Sequence, residues 1–467
     1  MTLAAGECLL AACAAPQPAA TPVPAKPAAP APAAAAPAAP TATPAPAAPP
    51  KPAPGAVGLR LVAWADVQDK TVYDSMAAAI GKANPKLSVS VEQYPGQYYE
   101  KVQANFAANN AADVIYFQGW KFQPFAEAGV QSELDDLIKR DNLAKAWPEN
   151  PNYKNNTVWH DKTYMSPTDV GALVVYYNKD LFDKRGIPHP TKGWTYDAFK
   201  KAVEGLAFEE GGVKYYGWTV TGYGRSVVFI RRNGAQEWDQ VVEPKKANWT
   251  HPDIVDAYQW TIYDVIDKGL SPNPAVMQGG GISVPSGRVA MLLDGPWQLP
   301  NFYGPKSAKP GGINFDVAEP PVGSTNYNQN FAHIHGHTIA KQSKVRDESW
   351  EVMKFILGTD GQKIIADGGR MCGTPESIES VWAPIASKTY NFKNTDAYVN
   401  GMKQGATPIV TGAGLPIDAY SGFIAGNPLN VAEDALKGLK KQAKEALEEA
   451  NPQIQKLLDE YWSKRKS

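Results

Sequence analysis

Tryptophans and polar side chains stand directly after several short apolar runs of this 467-residue sequence. The run Met291–Leu293 ends at Asp294-Gly295-Pro296 and is followed by Trp297. An indole that follows such a turn either packs in the core or offers its flat face to a ligand. Binding of a flat ligand is therefore one interpretation of Trp297, and core packing is the other.

Three histidines alternate with other residues in His333-Ile334-His335-Gly336-His337. On a strand they would share one face, with successive imidazoles about 7 Å apart. Two of them could chelate a metal ion if a third ligand came from elsewhere in the chain. Hydrogen bonding by His335 and a structural role are the alternatives. We predict no metal site and treat His335 as a binding candidate.

The common catalytic motifs are absent from the sequence. It contains no G-x-S-x-G, no H-E-x-x-H and no Walker loop, and Gly222 with Gly224 lacks the third glycine of a dinucleotide motif. Glycosidase acids come from separated segments, so Asp66 with Asp169 is the carboxylate pair that a surface glycosidase or lyase would use. We predict a binding protein without a cofactor, with such an enzyme as the alternative.

Charge and hydropathy exclude two classes of partner. Forty-six basic and 47 acidic residues give a net charge of −1, without a block of like charge. Nucleic acids and anionic membranes favour basic patches, so neither is the expected main partner. The sequence contains no run of about 18 apolar residues, the length that a helix needs to span a bilayer. The protein is expected to be a monomer.

The first 57 residues differ from the rest in composition. Leu10-Ala11-Ala12-Cys13 has the pattern of a bacterial lipobox, in which the cysteine is diacylated; a chance match in an Ala-rich segment is the alternative. We expect residues 1–13 to be the remnant of a signal peptide that starts upstream of Met1. Residues 14–57 are nearly all Ala, Pro and Thr, which predicts a disordered, extended tether. Acylation at Cys13 would leave Cys372 as the one cysteine of the mature domain, so it could form no internal disulfide.

From residue 59 onward, strand and helix patterns alternate. They predict an α/β domain around a largely parallel sheet, with Thr195 as a helix N-cap. At the C-terminus, 431–463 reads as one amphipathic stripe that breaks at Asn451-Pro452. The predicted strands are 59–63, 87–93, 113–117 and 171–177, and the predicted helices are 68–84, 97–109, 121–140 and a helix that begins after Thr195.

Five segments, in this order, resemble a known family. They are ADVIYFQGWKFQPFAEAGVQSELDDLI, GALVVYYNKDLFDKRGIPHPTKGWTYDAFKKAVEGL, GRVAMLLDGPWQL, HGHTIAKQSKVRDESWEVMKFILGTDGQKIIADGGRMCGTPES and the Leu-rich C-terminus. Each motif alone is loose, but together they resemble the extracellular solute-binding proteins of family 1, the group of the maltose-binding protein. The resemblance covers the chain from about residue 58 to its end.

The resemblance implies an α/β, two-lobed, periplasmic-binding-protein-like fold with a hinge and an interlobe ligand cleft. The chain would cross between lobes near 170–175 and 330–338. Lobe 1 would comprise 58–169 completed by 335–385, and lobe 2 would comprise 176–330 completed by 386–467. The implied function is capture of a mono- or oligosaccharide for an ABC permease, at the outer face of the cytoplasmic membrane. A polyol phosphate, a peptide or a metal ion are alternative ligands for the same fold.

The resemblance also implies where the ligand would bind. Trp297 matches the position of a tryptophan that stacks on a sugar ring, and Gly119 would let ligand approach the backbone. Tyr223 and Arg225 follow a strand-like run at 217–220. Core packing, turn capping and surface exposure are the structural alternatives for these residues. The predicted ligand-binding residues are Trp64, Asp66, Gln118, Trp120, Asp169, Tyr223, Arg225, Trp297, His335 and Arg370.

Overall fold

The computed structural model describes residues 55–64, 67–94, 98–220, 227–240, 242–277, 281–303, 311–323, 332–403 and 427–465. The predicted acylation site Cys13 lies outside them, as does the predicted tether up to residue 54. Thirteen strands lie within these ranges: β1 Val57–Ala63, β2 Leu87–Gln93, β3 Val114–Gln118, β4 Val158–Trp159, β5 Lys162–Thr163, β6 Ser166–Ala172, β7 Val174–Asn178, β8 Phe208–Glu210, β9 Val213–Tyr215, β10 Met291–Asp294, β11 Phe315–Ala318, β12 Ala332–Ile339 and β13 Met371–Cys372.

Helices connect and cover these strands. The α-helices are α1 Val67–Ala83, α2 Tyr98–Ala107, α3 Gln123–Glu127, α4 Asp135–Arg140, α5 Pro151–Thr157, α6 Lys179–Arg185, α7 Tyr196–Gly205, α8 Val227–Arg232, α9 Pro252–Tyr258, α10 Val265–Asp267, α11 Pro274–Met277, α12 Leu299–Phe302, α13 Arg346–Leu357, α14 Thr359–Asp367, α15 Pro375–Ser377, α16 Ala383–Tyr390, α17 Asp396–Lys403, α18 Pro428–Lys437 and α19 Ala443–Arg465. Short 3-10 turns span Ala144–Ala146 and Pro296–Gln298, and π-helical turns span Gln259–Asp264 and Ile378–Trp382.

The first three strands form the parallel part of a six-stranded sheet. β1 pairs in parallel with β2 along its whole length and with β3 on its other side. Helices α1 and α2 provide the crossovers that parallel pairing requires. The strands and helices predicted up to residue 118 are confirmed, because short β-branched runs and helical spacing alternate there without ambiguity.

The remaining strands run antiparallel, so the prediction of a largely parallel sheet is wrong. The six-stranded sheet has the order β13-β6-β12-β3-β1-β2, and β12 is antiparallel to both β3 and β6. The three-stranded sheet, β10-β7-β11, is entirely antiparallel. The period of a hydrophobic run does not depend on strand direction, and therefore the sequence carried no sign of this reversal.

One segment belongs to both sheets. β6 lies in the six-stranded sheet, the chain passes through Leu173, and β7 lies at the centre of the three-stranded sheet. Every residue from 165 to 178 is buried. Side chains of both strands, including Val170 and Tyr176, belong to one apolar cluster that also takes in Leu292 and Phe302. The two sheets are therefore joined by buried, continuous backbone.

The predicted helix 121–140 is interrupted. The chain forms α3 and α4, separated by Gly129 with φ +67° and by a non-helical segment at 130–134. In that segment Gln131 bridges to Ala340, and the Ser132 amide donates to the Ile339 carbonyl at 2.8 Å. These tertiary hydrogen bonds with the end of β12 override the helical spacing of the apolar residues.

The C-terminal stripe also breaks at a different place from the one predicted. α18 ends at Lys437 and Leu439 has φ +54°, whereas α19 runs straight through Pro452. Leu447, Ile454 and Leu458 of α19 are fully buried in the core around the three-stranded sheet. A proline inside a helix costs about 3 kcal/mol, and this burial on both sides of it offsets that cost.

A glycine allows the crossing strand β12 to lie close to β6. The register between them shifts between His335 and Gly336, and a Cβ at 336 would lie 1.8 Å from the Ser166 carbonyl oxygen. We expect Gly336→Ala to lower the free energy of unfolding by about 3 kcal/mol, because overpacked cores lose about 1–3 kcal/mol or more. Chemical denaturation measures it. Gly281→Ala, where a Cβ meets nothing within 4 Å, is the control, and equal effects of the two substitutions would contradict the prediction.

Candidate functional site

A short turn at the end of β10 carries Trp297. β10 pairs with β7 from Met291 to Asp294, and Pro296 then begins a 3-10 turn, a position that proline favours. The Asp294 carboxylate accepts from the Gly295 amide at 2.8 Å and from Gln298 Nε2 at 2.9 Å. The turn is thereby fixed at both ends by one buried side chain.

The Trp297 indole lies back across this turn. A Cβ at Gly295 would come within 2.2 Å of the ring, so glycine leaves the space that the indole occupies. The Trp297 side chain packs against the core around the three-stranded sheet and is half-buried. A partly exposed aromatic ring held by such packing is a rigid apolar surface.

A cavity of about 520 Å³ opens beside Trp297. A ladder of hydrogen bonds runs along its wall, from Asn301 Nδ2 to Gln298 Oε1 at 2.9 Å and from Gln298 to Asp294. Apolar and polar groups therefore line the same cavity, and this combination binds hydroxylated rings. The lining residues are Thr219, Met277, Ser283, Val284, Pro285, Leu292, Asp294, Trp297, Gln298 and Asn301.

Most of these lining residues were missed in the sequence. Gln298 and Asn301 follow Asp294 by four and seven residues, a spacing that places them on one face of a helical turn. That spacing was the available signal. Thr219 and Ser283 come from distant loops, and the sequence contains nothing that brings them to Trp297.

Trp64 and Gln118 lie at the ends of neighbouring strands in the six-stranded sheet. Trp64 follows β1, is half-buried, and packs against Tyr98 and Tyr99 with ring centroids 4.8 and 6.0 Å apart. The Tyr99 hydroxyl accepts from the Gln118 amide at 3.1 Å and lies 3.3 Å from Gln118 Oε1. Tyr99, which the sequence analysis missed, therefore connects the two predicted residues.

The buried Asp169 on β6 forms an ion pair with the half-buried Arg370, which directly precedes β13. Arg370 Nη1 donates to Asp169 Oδ2 at 3.0 Å, and the Tyr116 hydroxyl donates to Oδ1 at 3.0 Å. Asp169 is 2% exposed. Burial raises the pKa of its carboxyl, while Arg370 and Tyr116 act in the opposite direction. Both carboxylate oxygens thus have partners within the protein.

His335 and His337 lie beside this pair on β12. The Trp120 indole meets the His335 ring edge-to-face at 5.4 Å, and both side chains are buried. His337 Nδ1 lies 2.6 Å from Thr168 Oγ1. Burial lowers the pKa of both imidazoles to about 3, with Arg370 adding to the effect at His335. They are therefore neutral near pH 7.

The structure gathers six predicted residues around one edge of the six-stranded sheet: Trp64, Gln118, Trp120, Asp169, His335 and Arg370. Trp297 lies in the turn that follows β10 of the three-stranded sheet, and this turn packs against β6. Asp66, Tyr223 and Arg225, like the His333 imidazole, lie outside the described residues. Among the described residues, no group of three or more His, Cys, Asp or Glu side chains is placed to hold a metal ion.

Two local interpretations are corrected by the structure. A Cβ at Gly119 would lie 2.3 Å from Asn156 Oδ1 and 2.4 Å from the Ile334 carbonyl oxygen, so protein atoms require this glycine. The run 217–220 is not a strand, and the adjacent Tyr216 forms an isolated bridge to Val289. Its residues serve as a loop packed against Leu270, whose carbonyl accepts from Gly217 and Trp218.

Comparison with known proteins finds a matching family and several relatives. A family model described as bacterial extracellular solute-binding protein matches residues 64–363. A galactooligosaccharide-binding protein from Bacillus subtilis strain 168 is 23% identical over 317 residues, which make up 66% of this chain and 70% of that protein. A maltooligosaccharide ABC transporter solute-binding lipoprotein from Streptococcus pneumoniae serotype 4 is 24% identical over 316 residues, again 66% of this chain and 70% of that protein.

Solved structures agree with this result. An ABC substrate-binding protein from Listeria monocytogenes, in complex with cycloalternan, matches with a TM-score of 0.70 at 19% identity, covering 86% of this chain and 99% of that chain. The predicted α/β, two-lobed, periplasmic-binding-protein-like fold is confirmed. In the described part of the chain no helix combines the length and the apolar character that crossing a membrane requires.

The buried imidazoles predict a pH dependence of stability. Their folded-state pKa of about 3 lies below the unfolded value of about 6.5, so the unfolded state binds protons first as the pH falls. The contribution of these two neutral imidazoles to the stability of the fold is present above about pH 6.5 and is lost as the pH falls toward about 3. We expect a loss of about 2 kcal/mol per imidazole between pH 7 and pH 5, measured by chemical denaturation.

His337→Gln should reduce the loss of stability between pH 7 and pH 5 by about 2 kcal/mol, the amount expected for one imidazole. The interpretation is wrong if His337→Gln retains the whole difference between pH 7 and pH 5.

Proposed function

Because the chain belongs to the bacterial extracellular solute-binding proteins, we propose that it captures a carbohydrate and delivers it to the permease of an ABC importer. The observation that carries the proposal is the Trp297 indole, held on a rigid turn at the wall of a 520 Å³ cavity. Relatives named for galactooligosaccharides and maltooligosaccharides support the same ligand class.

The cavity chemistry suits a neutral, hydroxylated ring better than an ion. Trp297 offers an apolar surface of the size of a pyranose, and Asp294, Gln298 and Asn301 line the same wall with oxygen and amide groups. Ring C–H groups stack on an indole, while hydroxyls exchange hydrogen bonds with carboxylates and amides. Trp297 is the proposed stacking residue, and the other three are proposed to select hydroxyl positions.

The six-stranded sheet contributes the opposing group of residues. The residues proposed to form the second side of the cleft are Trp64, Gln118, Trp120, Asp169, His335 and Arg370, together with Asp66 from outside the described residues. Tyr223 and Arg225, also outside the described residues, are proposed to lie on the side of Trp297, because they belong to the same lobe. Because Asp169 and Arg370 are paired with each other, they contribute by shaping and rigidifying this side. The neutral imidazole of His335 suits hydrogen bonding to a hydroxyl.

Binding is proposed to proceed by closure of two lobes. Lobe 1 is assigned to 58–169 with 335–385, and lobe 2 to 176–330 with 386–467. A sugar that contacts both lobes stabilises the closed arrangement and shifts the population toward it. The permease then receives the sugar from the closed, monomeric protein.

The alternative ligands and activities have less support in the structure. A phosphate would need two or more uncommitted cations or a free helix N-terminus, and Arg370 is committed to Asp169. A glycosidase would need a carboxylic acid at the ligand, whereas Asp169 is 2% exposed and engaged at both oxygens. We therefore propose binding without turnover.

The position in the cell follows from the family. An extracellular solute-binding protein works outside the cytoplasm, and we propose that a lipid on Cys13 anchors this one, as the word lipoprotein in the name of the pneumococcal relative supports. Residues 14–57 would then act as a spacer between the membrane and the folded domain.

Isothermal titration with maltotetraose, a β-1,4-galactotriose and cycloalternan tests the carbohydrate proposal. We expect at least one to bind, and Trp297→Ala to weaken that affinity by about tenfold or more, because loss of stacking costs about 1.4 kcal/mol. Trp462→Ala is the matched control, since that half-buried indole lies on α19, contacts Lys245 and does not line the cavity. If the wild type binds none of the sugars, or both substitutions weaken binding equally, the proposal fails.

Metabolic labelling with tritiated palmitate tests the anchor. Expressed from its own gene, the protein should take up label and fractionate with membranes, because a diacylated N-terminus partitions into the bilayer. Cys13→Ser should abolish both, while Cys8→Ser should change neither. Label that survives Cys13→Ser would place the anchor elsewhere.

A further inference from the structure

We propose that Tyr176 and Tyr398 are positioning residues that set the Trp297 indole in its binding orientation through a two-hydroxyl relay. Tyr398 lies on α17 and Tyr176 lies on β7. The Tyr398 hydroxyl donates to the Tyr176 hydroxyl at 2.6 Å, and Tyr176 donates to the Gly295 carbonyl oxygen at 2.6 Å. The role in binding rests on the proposed function, while the geometric role does not.

The direction of the relay follows from counting protons. A tyrosine hydroxyl has one proton to donate. Because the Gly295 carbonyl oxygen can only accept, Tyr176 directs its one proton to Gly295, and the Tyr176 oxygen accepts the hydrogen bond from Tyr398. Burial raises the pKa of both hydroxyls well above the usual value, so neither loses its proton near neutral pH. The relay therefore delivers a constant donor to the turn.

Gly295 is the point at which the relay reaches the indole. Its carbonyl oxygen also accepts from the Gln298 amide at 3.1 Å, so the turn and the relay share one acceptor. The six-membered ring of Trp297 occupies the space beside Gly295 in which a Cβ would come within 2.2 Å of it. A tilt of this peptide would move the surface on which the ring rests.

Packing alone does not explain the two hydroxyls. Both tyrosines are completely buried among aromatic rings, with Tyr176 stacked on Phe302 at 4.5 Å and Tyr398 edge-on to Trp382 at 5.2 Å. Phenylalanine would fill almost the same space without desolvating a hydroxyl, and burying a hydroxyl costs free energy unless it is hydrogen-bonded. Here the hydrogen bonds end on the one peptide that supports Trp297.

The relay also links the indole to the segment shared by both sheets. α17 packs against β6 and β7, and Tyr176 faces Leu292 of β10 and Val317 of β11 in the three-stranded sheet. Asp294 lines the cavity, and its negative charge helps to raise the pKa of both tyrosine hydroxyls. The position of Trp297 is thus set from the strand that joins the sheets, in addition to its own turn.

Fluorine NMR of the full chain labelled with 5-fluorotryptophan tests the geometry without any sugar. The Trp297 resonance, assigned by its loss in Trp297→Phe, should shift or broaden in Tyr176→Phe and, to a smaller extent, in Tyr398→Phe. The Trp382 resonance should respond to Tyr398→Phe because the rings touch. An unchanged Trp297 resonance in Tyr176→Phe overturns the proposal.

Tyr153→Phe is the matched control. Tyr153 is also buried, and its hydroxyl donates to the Gly373 carbonyl at 2.9 Å, away from Trp297. It should lose comparable thermal stability and leave the Trp297 resonance in place. If Tyr153→Phe moves that resonance as much as Tyr176→Phe does, the effect is general loosening and the proposal is wrong.

Titration with whichever of maltotetraose, β-1,4-galactotriose and cycloalternan binds completes the test. Tyr176→Phe should weaken affinity about threefold to tenfold, and it should have no further effect in a Trp297→Ala background. Additive losses would show that the hydroxyl acts independently of the indole and would overturn the proposal. If none of the three sugars binds the wild type, the carbohydrate assignment fails, and the fluorine spectra still decide the relay.

Discussion

The structure depends on one buried segment that contributes a strand to each of two sheets. Residues 165–178 are buried without exception, and they pass from the six-stranded sheet into the three-stranded sheet at Leu173. Every backbone polar group in such a segment needs a partner inside the protein. β12, β13, β10 and β11 supply those partners from both sides.

The two ends of this segment carry different chemistry. On β6, Asp169 is enclosed with Tyr116 and Arg370, so its charge is satisfied within the protein. On β7, Tyr176 reaches out of its sheet to the turn that holds Trp297. The first arrangement makes one side of the proposed cleft rigid. The second connects the rigid core to a half-exposed aromatic surface.

Close approach of other protein atoms requires glycine at three positions. Gly119, Gly295 and Gly336 each face atoms that would overlap a Cβ, respectively Asn156, the Trp297 ring and Ser166. Of these, Gly295 alone concerns the proposed site directly, because its missing side chain makes room for the indole. The same residue type thus has a packing role at two positions and a site-forming role at the third.

The sequence by itself determined the early α/β elements, the Thr195 cap, the family and the position of Trp297 after a strand-ending turn. These features depend on neighbours in the chain, whose spacing and capping chemistry are local. The side chain of Thr195 indeed accepts from the Ala198 amide at 3.2 Å. Asp294 and Gln298 lay within the same local signal, although their hydrogen bond became visible in the structure.

Tertiary structure alone decided the strand directions, the interruption of the predicted helix 121–140, the continuous helix through Pro452 and the pairing of Asp169 with Arg370. In each case the deciding partner is far away in the chain: Arg370 is 201 residues from Asp169, and Tyr398 is 222 residues from Tyr176. Local propensity differs by about 1 kcal/mol or less between ordinary residues, and buried long-range contacts outweigh it. The turn with Trp297 could be foreseen from the chain, but most of the other residues that line the cavity, and the geometry of the site, required the fold.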